Sequence, residues 1–498
     1  MDRRRHGARP DRELEAWGDA VKRLSRATLG QVPVTIAAPR GRAVDGVGIV
    51  HFGPGAFHRA HQAAYVDALL GHDPRWGIAA VSLRSRSTID ALAAQDGLYT
   101  LAIRDAAPSM GVIDAHRRFL GPEDASATRT LLADPAIRLV TTTVTEKGYC
   151  LAAHGDLDLS HPDIVHDLGH PPAPRSVIGW IVAGLDARRR DGIAPFVPMP
   201  CDNLAQNGAK LHAALVAFAR AGDAMLADWI AGEVRVPSTM VDAITPATDD
   251  ALFADVAAAL GVEDRAAVQR EAFAQWVIED VGMAGPDFAA VGAVVTRDVA
   301  GYEKAKLRIL NGAHSTLAYA GLLRGHASVA EAMRDAELAA FVDMMIRHDI
   351  MPMLPSVPGL DLDGYRAAVL TRFTNPAIVH RLDQIAQDGS QKLPYRLGDT
   401  LLANRQAGRM PRHIVMALGC WVAFLVRRGA AGEPIVDPAA EALMAAVAGA
   451  TPRQAMAAVI ARGLGVPGAL RDDAAARDAL EAAAESAFHG EISVATSA

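Results

Sequence analysis

Through the first three-fifths of the chain, short apolar runs alternate with amphipathic stretches. Val47-Gly-Ile-Val-His-Phe52 reads as a strand buried on both faces, Gly53-Pro-Gly55-Ala-Phe57 as the turn after it, and His58 to Leu70 as the helix that follows. A second strand, Trp76 to Leu83, ends in Arg84-Ser85-Arg86-Ser87. A third, Ile137 to Val144, runs into Thr145-Glu146-Lys147-Gly148-Tyr149, and further strands are expected at Phe196 to Met199 and Glu233 to Val236. Strands that alternate with helices predict an α/β, Rossmann-like, doubly wound and mostly parallel sheet. From about Val299 strand signals become scarce, and Ala-rich amphipathic stretches (Val329 to His348, Arg412 to Arg428, Ala439 to Val447) predict a mostly α-helical second domain. The expected organisation is an N-terminal extension over 1–45, partly disordered with one helix around Glu13 to Leu24, then a dinucleotide-binding domain over 46–297. A helical C-terminal domain over 298–498 carries the substrate and catalytic groups, and its last residues fray.

Composition narrows the partners. The chain has 498 residues, half of them hydrophobic, and a net charge of −7, which is ample for two cores and gives no basic excess for nucleic acid or an anionic membrane. Cys150, Cys201 and Cys420 are too scattered for a zinc pattern or a disulfide framework, which points to a reducing cytoplasm. No apolar run follows the basic start, so neither a signal peptide nor a membrane span is expected.

Two segments carry chemistry. Gly53-x-Gly55-x-Phe57 follows a strand and opens a helix, the context of a dinucleotide-binding turn. The first glycine permits the tight turn and the second lets the backbone approach a pyrophosphate at the helix N-terminus. Phe57 stands near the place of the usual third glycine, and a purely structural turn is the competing reading. The tip after the second strand, where an acid would accept from an adenosine ribose hydroxyl, carries Arg86 and Ser87 and no acid, which favours NADP or tolerance of it. Asn203, in the turn after the strand at 196–199, could donate to a carbonyl oxygen that becomes an alkoxide, or could simply form an Asx-turn.

The second segment is Lys306-Leu-Arg-Ile-Leu-Asn311-Gly-Ala-His314-Ser315. At roughly 100° per residue from Lys306, Glu303 lies near 60°, His314 near 80° and Asn311 near 140°. Four polar groups share one broad arc, and a lysine among an amide, an imidazole and a carboxylate has the composition of a general base with carbonyl-binding partners. A solvated polar face is the alternative. His51, His58 and His61 flank the glycine turn without a clean ligand pair, so no metal is expected, and Trp276 reads as core.

Taken together, Gly-Pro-Gly-Ala-Phe-His-Arg-Ala-His (53–61), Thr-Glu-Lys-Gly-Tyr-Cys (145–150), Cys-Asp-Asn-Leu (201–204), Met-Val-Asp (240–242), Gln-Trp-Val-Ile-Glu-Asp (275–280), Lys-x-Arg-x-Leu-Asn-Gly-x-His-Ser (306–315) and Asp-Gly-Ser-Gln-Lys-Leu-Pro (388–394) resemble the long-chain mannitol dehydrogenase family. The resemblance covers the chain from about residue 46 and implies zinc-independent, NAD- or NADP-dependent oxidation of polyols or sugar acids. It implies Lys306 as general base, Asn311 and Asn203 as the oxyanion-binding pair, Glu303 as a carboxylate assisting proton exchange, and His314 and Lys392 as substrate-positioning groups. Coenzyme contacts are expected from Gly53, Gly55, Phe57, Arg86, Ser87, Thr145 and Asn203. Lys147, and His380-Arg381 ahead of Gln384, resemble the fructuronate reductases of the family, and a sugar-acid carboxylate suits nearby cations such as Lys147, Arg381 and Lys392. Ala243 departs from the arginine usual after Val-Asp.

The sequence therefore predicts a secondary-alcohol dehydrogenase acting on a small sugar acid or polyol, as a monomer or small homo-oligomer, with fructuronate and mannonate as the substrate pair. A mannitol or arabinitol 2-dehydrogenase is the alternative enzyme. A catalytically silent nucleotide-binding regulator is the alternative of a different class.

Overall fold

The computed structural model describes residues 22–40, 46–152, 154–282 and 285–492. The chain divides into two compact units, Met1–Arg297 and Asp298–Ala498. In the first, the strands are β1 (Val47–Phe52), β2 (Gly77–Val81), β3 (Tyr99–Ile103), β4 (Ser109–Ile113), β5 (His116–Leu120), β6 (Leu139–Thr142), β7 (Val197–Pro200), β8 (Thr239–Asp242), β9 (Val268–Arg270), β10 (Gln275–Glu279) and β11 (Val294–Thr296).

The central sheet runs β5-β2-β1-β6-β7 with every neighbouring pair parallel. Its strands read as unbroken apolar runs because both faces are covered. Val50 and Phe52 of β1, Ala79 and Val81 of β2 and Val140 of β6 enter one core with the helices Val177–Arg190 and Asn207–Gly222. Their neighbours Ile49, Ile78 and Leu139 enter a second core with the helix Gln62–Leu70 and with Trp276 of β10, which is fully buried. From β1 the chain builds outward to β2 and β5, then returns to place β6 on the other side of β1. Loops at the carboxyl ends of β1 and β6 diverge there, which opens the crevice where such sheets bind ligands. Two three-stranded sheets, β4-β3-β9 and β11-β10-β8, complete the unit.

Several expectations change. The strand expected at Glu233–Val236 is the end of the helix Ala224–Glu233 and an extended link, and the strand begins only at Thr239. The helix expected over His58–Leu70 is two helices, Ala56–Ala60 and Gln62–Leu70, broken at His61. Most of the helix expected at Glu13–Leu24 lies outside the described residues, and Lys22 to Leu24 are not helical. Residues 22–40, expected as part of a partly disordered extension, are packed down. Leu24 is fully buried beside Leu98 and Val112, and the Arg26 guanidinium grips both carboxylate oxygens of Asp114 at 2.9 and 3.0 Å. Burial of one leucine and a forked ion pair outweigh a loop-like local composition.

The second unit is helical. One continuous helical run spans Val299–Leu323, and Arg412–Ala431 forms a central helix. That helix is long and apolar enough to cross a membrane, but it is mostly buried inside the unit and packs on Ala474–Phe488. Gly419 makes the approach close, since a Cβ there would lie 2.7 Å from the Ala483 backbone.

Candidate active site

In the first unit the glycine turn lies at the switch point. Gly53 has φ +89°, and a Cβ on it would lie 2.3 Å from the carbonyl oxygen of Thr143, just past β6. Only glycine accepts that backbone and that approach. Gly55 has φ −67° and is exposed, and a Cβ there would meet nothing nearer than the Gly53 carbonyl at 3.9 Å. Its bare backbone faces open space at the start of a helix, which fits a pyrophosphate. Phe57, half-buried, stacks on His61 with ring centroids 5.1 Å apart.

Acids surround the tip after β2. Arg86, which precedes the helix Ser87–Ala93, pairs with Asp90 (3.0 Å), Asp124 (3.4 Å) and Glu123. Glu123 and Asp124 follow β5, the neighbour of β2, so carboxylates distant in sequence stand where the adenosine ribose is expected. Arg84 is paired with Asp163 at 3.6 Å. The tip itself carries no acid, as its sequence reads, and the loop after β5 supplies them.

Beyond β6 and β7 the loops are tied together. Tyr149 is buried, shares a 2.7 Å hydrogen bond with Thr142 and donates to the Asp202 carboxylate. Asn207 donates to the Thr239 carbonyl at 3.0 Å and accepts from its amide at 2.9 Å. Asn203 is exposed on the turn between these anchors, and Thr145 and Lys147 are exposed on the loop after β6. Tyr149, Asp202 and Asn207 did not stand out in the sequence, although Asp-Asn-Leu-Ala-Gln-Asn contains two of them.

In the second unit, Lys306–Asn311 is π-helical, between α-helical Val299–Ala305 and Gly312–Leu323. In a π turn the residue above Lys306 is five positions on rather than four. Asn311 therefore takes the place that Leu310 would hold in an unbroken α-helix. Glu303 precedes Lys306 by three and His314 follows Asn311 by three, so all four stand in one row. The broad arc expected from α-helical geometry becomes a narrow one. The π turn coincides with close packing: a Cβ on Gly312 would lie 3.2 Å from the Arg396 carbonyl in the π segment Pro394–Gly398 and 3.8 Å from Ile350 in the π segment Met345–Ile350. The His314 ring packs against Phe373 (centroids 4.4 Å) and His380 (5.6 Å).

The loop carrying Lys392 is held by its own motif. Asp388 is left-handed (φ +57°), and Gly389 lies where a Cβ would be 2.5 Å from the Tyr319 hydroxyl and 2.8 Å from the Trp421 indole nitrogen. Lys392 donates to the Gln387 carbonyl at 2.8 Å and pairs with Asp388 at 3.5 Å. Burial and then Arg396 lower its pKa. Arg381 forks onto Asp383 and is exposed. Two of the cations expected to await a substrate carboxylate thus have protein partners already.

The histidines flanking the glycine turn are packing groups. His51 and His58 stack at 3.4 Å, His58 Nε2 lies 3.1 Å from His116 Nε2, and His51 bonds Thr141 at 2.8 Å. Burial lowers the pKa of all three, that of His51 to about 3. Among the described residues one group, Cys150, His161 and Asp163, has donor atoms within 4.8 Å of one another. Burial pushes the Cys150 thiol up to about 11, so with no metal bound it is protonated, and a metal there would have to displace that proton.

A glycine turn at the switch point of a parallel sheet, and a helix carrying lysine, amide and imidazole in one row, belong to a nicotinamide-dependent oxidoreductase acting on CH–OH groups. The comparisons with known proteins specify which. Residues 47–289 match the mannitol dehydrogenase Rossmann domain and residues 298–482 the mannitol dehydrogenase C-terminal domain, and the chain belongs to the mannitol dehydrogenase family. It is 43% identical over 403 residues to D-mannonate oxidoreductase of Escherichia coli (strain K12), covering 78% of this chain and 82% of that one. It is 40% identical over 386 residues to mannitol 2-dehydrogenase of Cereibacter sphaeroides, covering 76% and 80%. Among solved structures, Pseudomonas fluorescens mannitol 2-dehydrogenase in complex with NAD and D-mannitol aligns with a TM-score of 0.78 at 36% identity, over 94% of this chain and 98% of that one. A substrate-free D-sorbitol dehydrogenase aligns with a TM-score of 0.88 at 30% identity, over 94% and 99%.

Proposed function

We propose that the chain interconverts the secondary alcohol of a sugar acid and its ketone, with fructuronate and mannonate as the pair and Lys306 as the general base. The nicotinamide of NAD or NADP, when bound, supplies or takes the hydride. In the oxidative direction neutral Lys306 accepts the hydroxyl proton, and the amides of Asn311 and Asn203 donate to the developing alkoxide. Glu303, in the row one turn before Lys306, passes that proton on toward solvent. His314, held by Phe373, positions the substrate hydroxyls.

The observation that carries this reading is the row Glu303, Lys306, Asn311, His314, which the π segment assembles on one helix. The likeness to a D-mannonate oxidoreductase supports the choice of a sugar acid. Mannitol 2-dehydrogenase is the second reading, favoured by the protein partners of Arg381 and Lys392, which leave those two cations less need of a substrate carboxylate. Coenzyme-coupled absorbance with fructuronate, fructose, mannonate and mannitol decides between them. Higher catalytic efficiency with the acids supports the first reading, and equal or higher efficiency with the neutral sugars establishes the second. A silent regulator would turn over none of them.

A further inference from the structure

We propose that Arg396 reads the carboxylate of the substrate, within the second unit and on the helix face that carries Asn311. The inference rests on the sugar-acid reading above and assigns the carboxylate to a residue that none of the family motifs quoted from the sequence contains. Arg396 sits in the π segment Pro394–Gly398, four residues after Lys392. Its backbone carbonyl would be 3.2 Å from a Cβ on Gly312, and its guanidinium Nη1 donates to the Ser315 hydroxyl at 2.9 Å. Ser315 follows Asn311 by four residues in an α-helical stretch, so the two share a face one turn apart.

The charge of Arg396 is what calls for a ligand. Among the described residues Arg396 makes no ion pair with a carboxylate; its side chain hydrogen-bonds Ser315 and interacts electrostatically with Tyr319, whose hydroxyl is neutral. Nearby acids are engaged elsewhere: Asp388 with Lys392, and Asp437 with the Ser390 amide at 2.8 Å and the Ser390 hydroxyl. Burial disfavours the charged form of Arg396, and a guanidinium escapes that cost poorly because it holds its proton so tightly. A largely desolvated cation without a counter-ion is costly, and an arriving carboxylate would remove the cost. The hydrogen bond to Ser315 uses one of five donors and orients the rest, which suits two-point recognition of a planar carboxylate. Lys392, whose charged form Arg396 also disfavours, would gain from the same anion. Arg381, bidentate on Asp383 in solvent, has none of these properties.

The test compares an acid with its neutral counterpart in Arg396→Gln, which keeps a donor for Ser315 but loses the charge. Catalytic efficiency with fructuronate should fall at least about thirtyfold, mainly through KM, while that with fructose changes by less than about threefold. Mannonate should raise the melting temperature of the wild-type enzyme with coenzyme and should not raise that of the variant. Equal losses with both sugars would mean that Arg396 only braces the helix, and an unchanged acid-to-neutral ratio would mean that the carboxylate is read elsewhere. Either result overturns the proposal while the sugar-acid reading stands. A wild-type enzyme that reduces fructose but not fructuronate removes that reading itself. Should Arg396→Gln fail to fold, Arg396→Lys carries the same comparison. It keeps the charge but loses the fork, and its loss should be smaller, about tenfold, and confined to the acids. A Lys variant with an unchanged ratio overturns the proposal equally.

Discussion

A Cβ on Gly53 would lie 2.3 Å from the carbonyl oxygen of Thr143, so the turn after β1 and the loop after β6 touch with no room for a side chain. Gly55, two residues on, has open space and an ordinary φ. The two glycines should therefore fail differently. Gly53→Ala should destabilise the fold by about 2–4 kcal/mol, from left-handed strain plus overpacking, and lower the melting temperature. Gly55→Ala should leave melting nearly unchanged and weaken coenzyme binding, because its methyl would occupy the space proposed for the pyrophosphate. Thermal melts and coenzyme titrations of the two variants check this, and equal behaviour of the two would contradict it.

Lys306→Ala should lower turnover at least about a hundredfold while coenzyme affinity stays close to wild type. Single-turnover kinetics with saturating coenzyme measures the chemical step. Near-normal turnover in the variant would remove Lys306 from the mechanism.

Coenzyme choice should follow the acids around Arg86. Glu123, Asp124 and Asp90 already engage it, and three carboxylates against one guanidinium disfavour a 2′-phosphate. The reading of Arg84-Ser85-Arg86-Ser87 alone, which favoured NADP or tolerance of it, did not include these acids. The wild-type enzyme should prefer NAD(H), and Glu123→Gln with Asp124→Asn should raise efficiency with NADP(H) at least about tenfold. If neutralising both acids leaves the NADP(H) efficiency where it was, the acids do not set the choice.

Acid should destabilise the first unit early. His51, His58 and His116 are buried as neutral imidazoles with lowered pKa, that of His51 about 3. Unfolded, each protonates as pH falls through 6.5; folded, each resists until far lower pH. The unfolded state thus binds more protons in that window, and stability is lost as pH falls from 6.5 toward 3, by up to about 1.4 kcal/mol per pH unit for each histidine. Above 6.5 these groups contribute no slope. Urea unfolding at pH 7.5 and 5.0 reads the effect, and equal stability at the two values would exclude it.

Activity should survive dialysis against a strong chelator. The ligand-like group Cys150, His161 and Asp163 contains a protonated, buried thiol, and Asp163 already faces Arg84. Loss of activity on chelation, with recovery on adding zinc, would overturn a metal-free mechanism.

What the sequence determined by itself is local. β1 and its glycine turn were legible because a doubly covered strand is an unbroken apolar run and a φ of +89° demands glycine. The helical second unit and the residues of the row from Glu303 to His314 were legible for the same reason, since helical periodicity and residue type are written in adjacent positions. The alignment of that row was not. The π turn that exchanges Leu310 for Asn311 coincides with close packing of Gly312 against residues up to 84 positions away at Arg396, and nothing in the segment itself announces it. Glu123 and Asp124 reach Arg86 from the loop after the neighbouring strand β5, the partners of Arg381 and Lys392 depend on side-chain geometry, and Leu24 is buried by residues from across the first unit. Charge and burial are properties of neighbours in space, so only the tertiary structure decided that Arg381 and Lys392 have carboxylate partners and that Arg396, among the described residues, makes no ion pair.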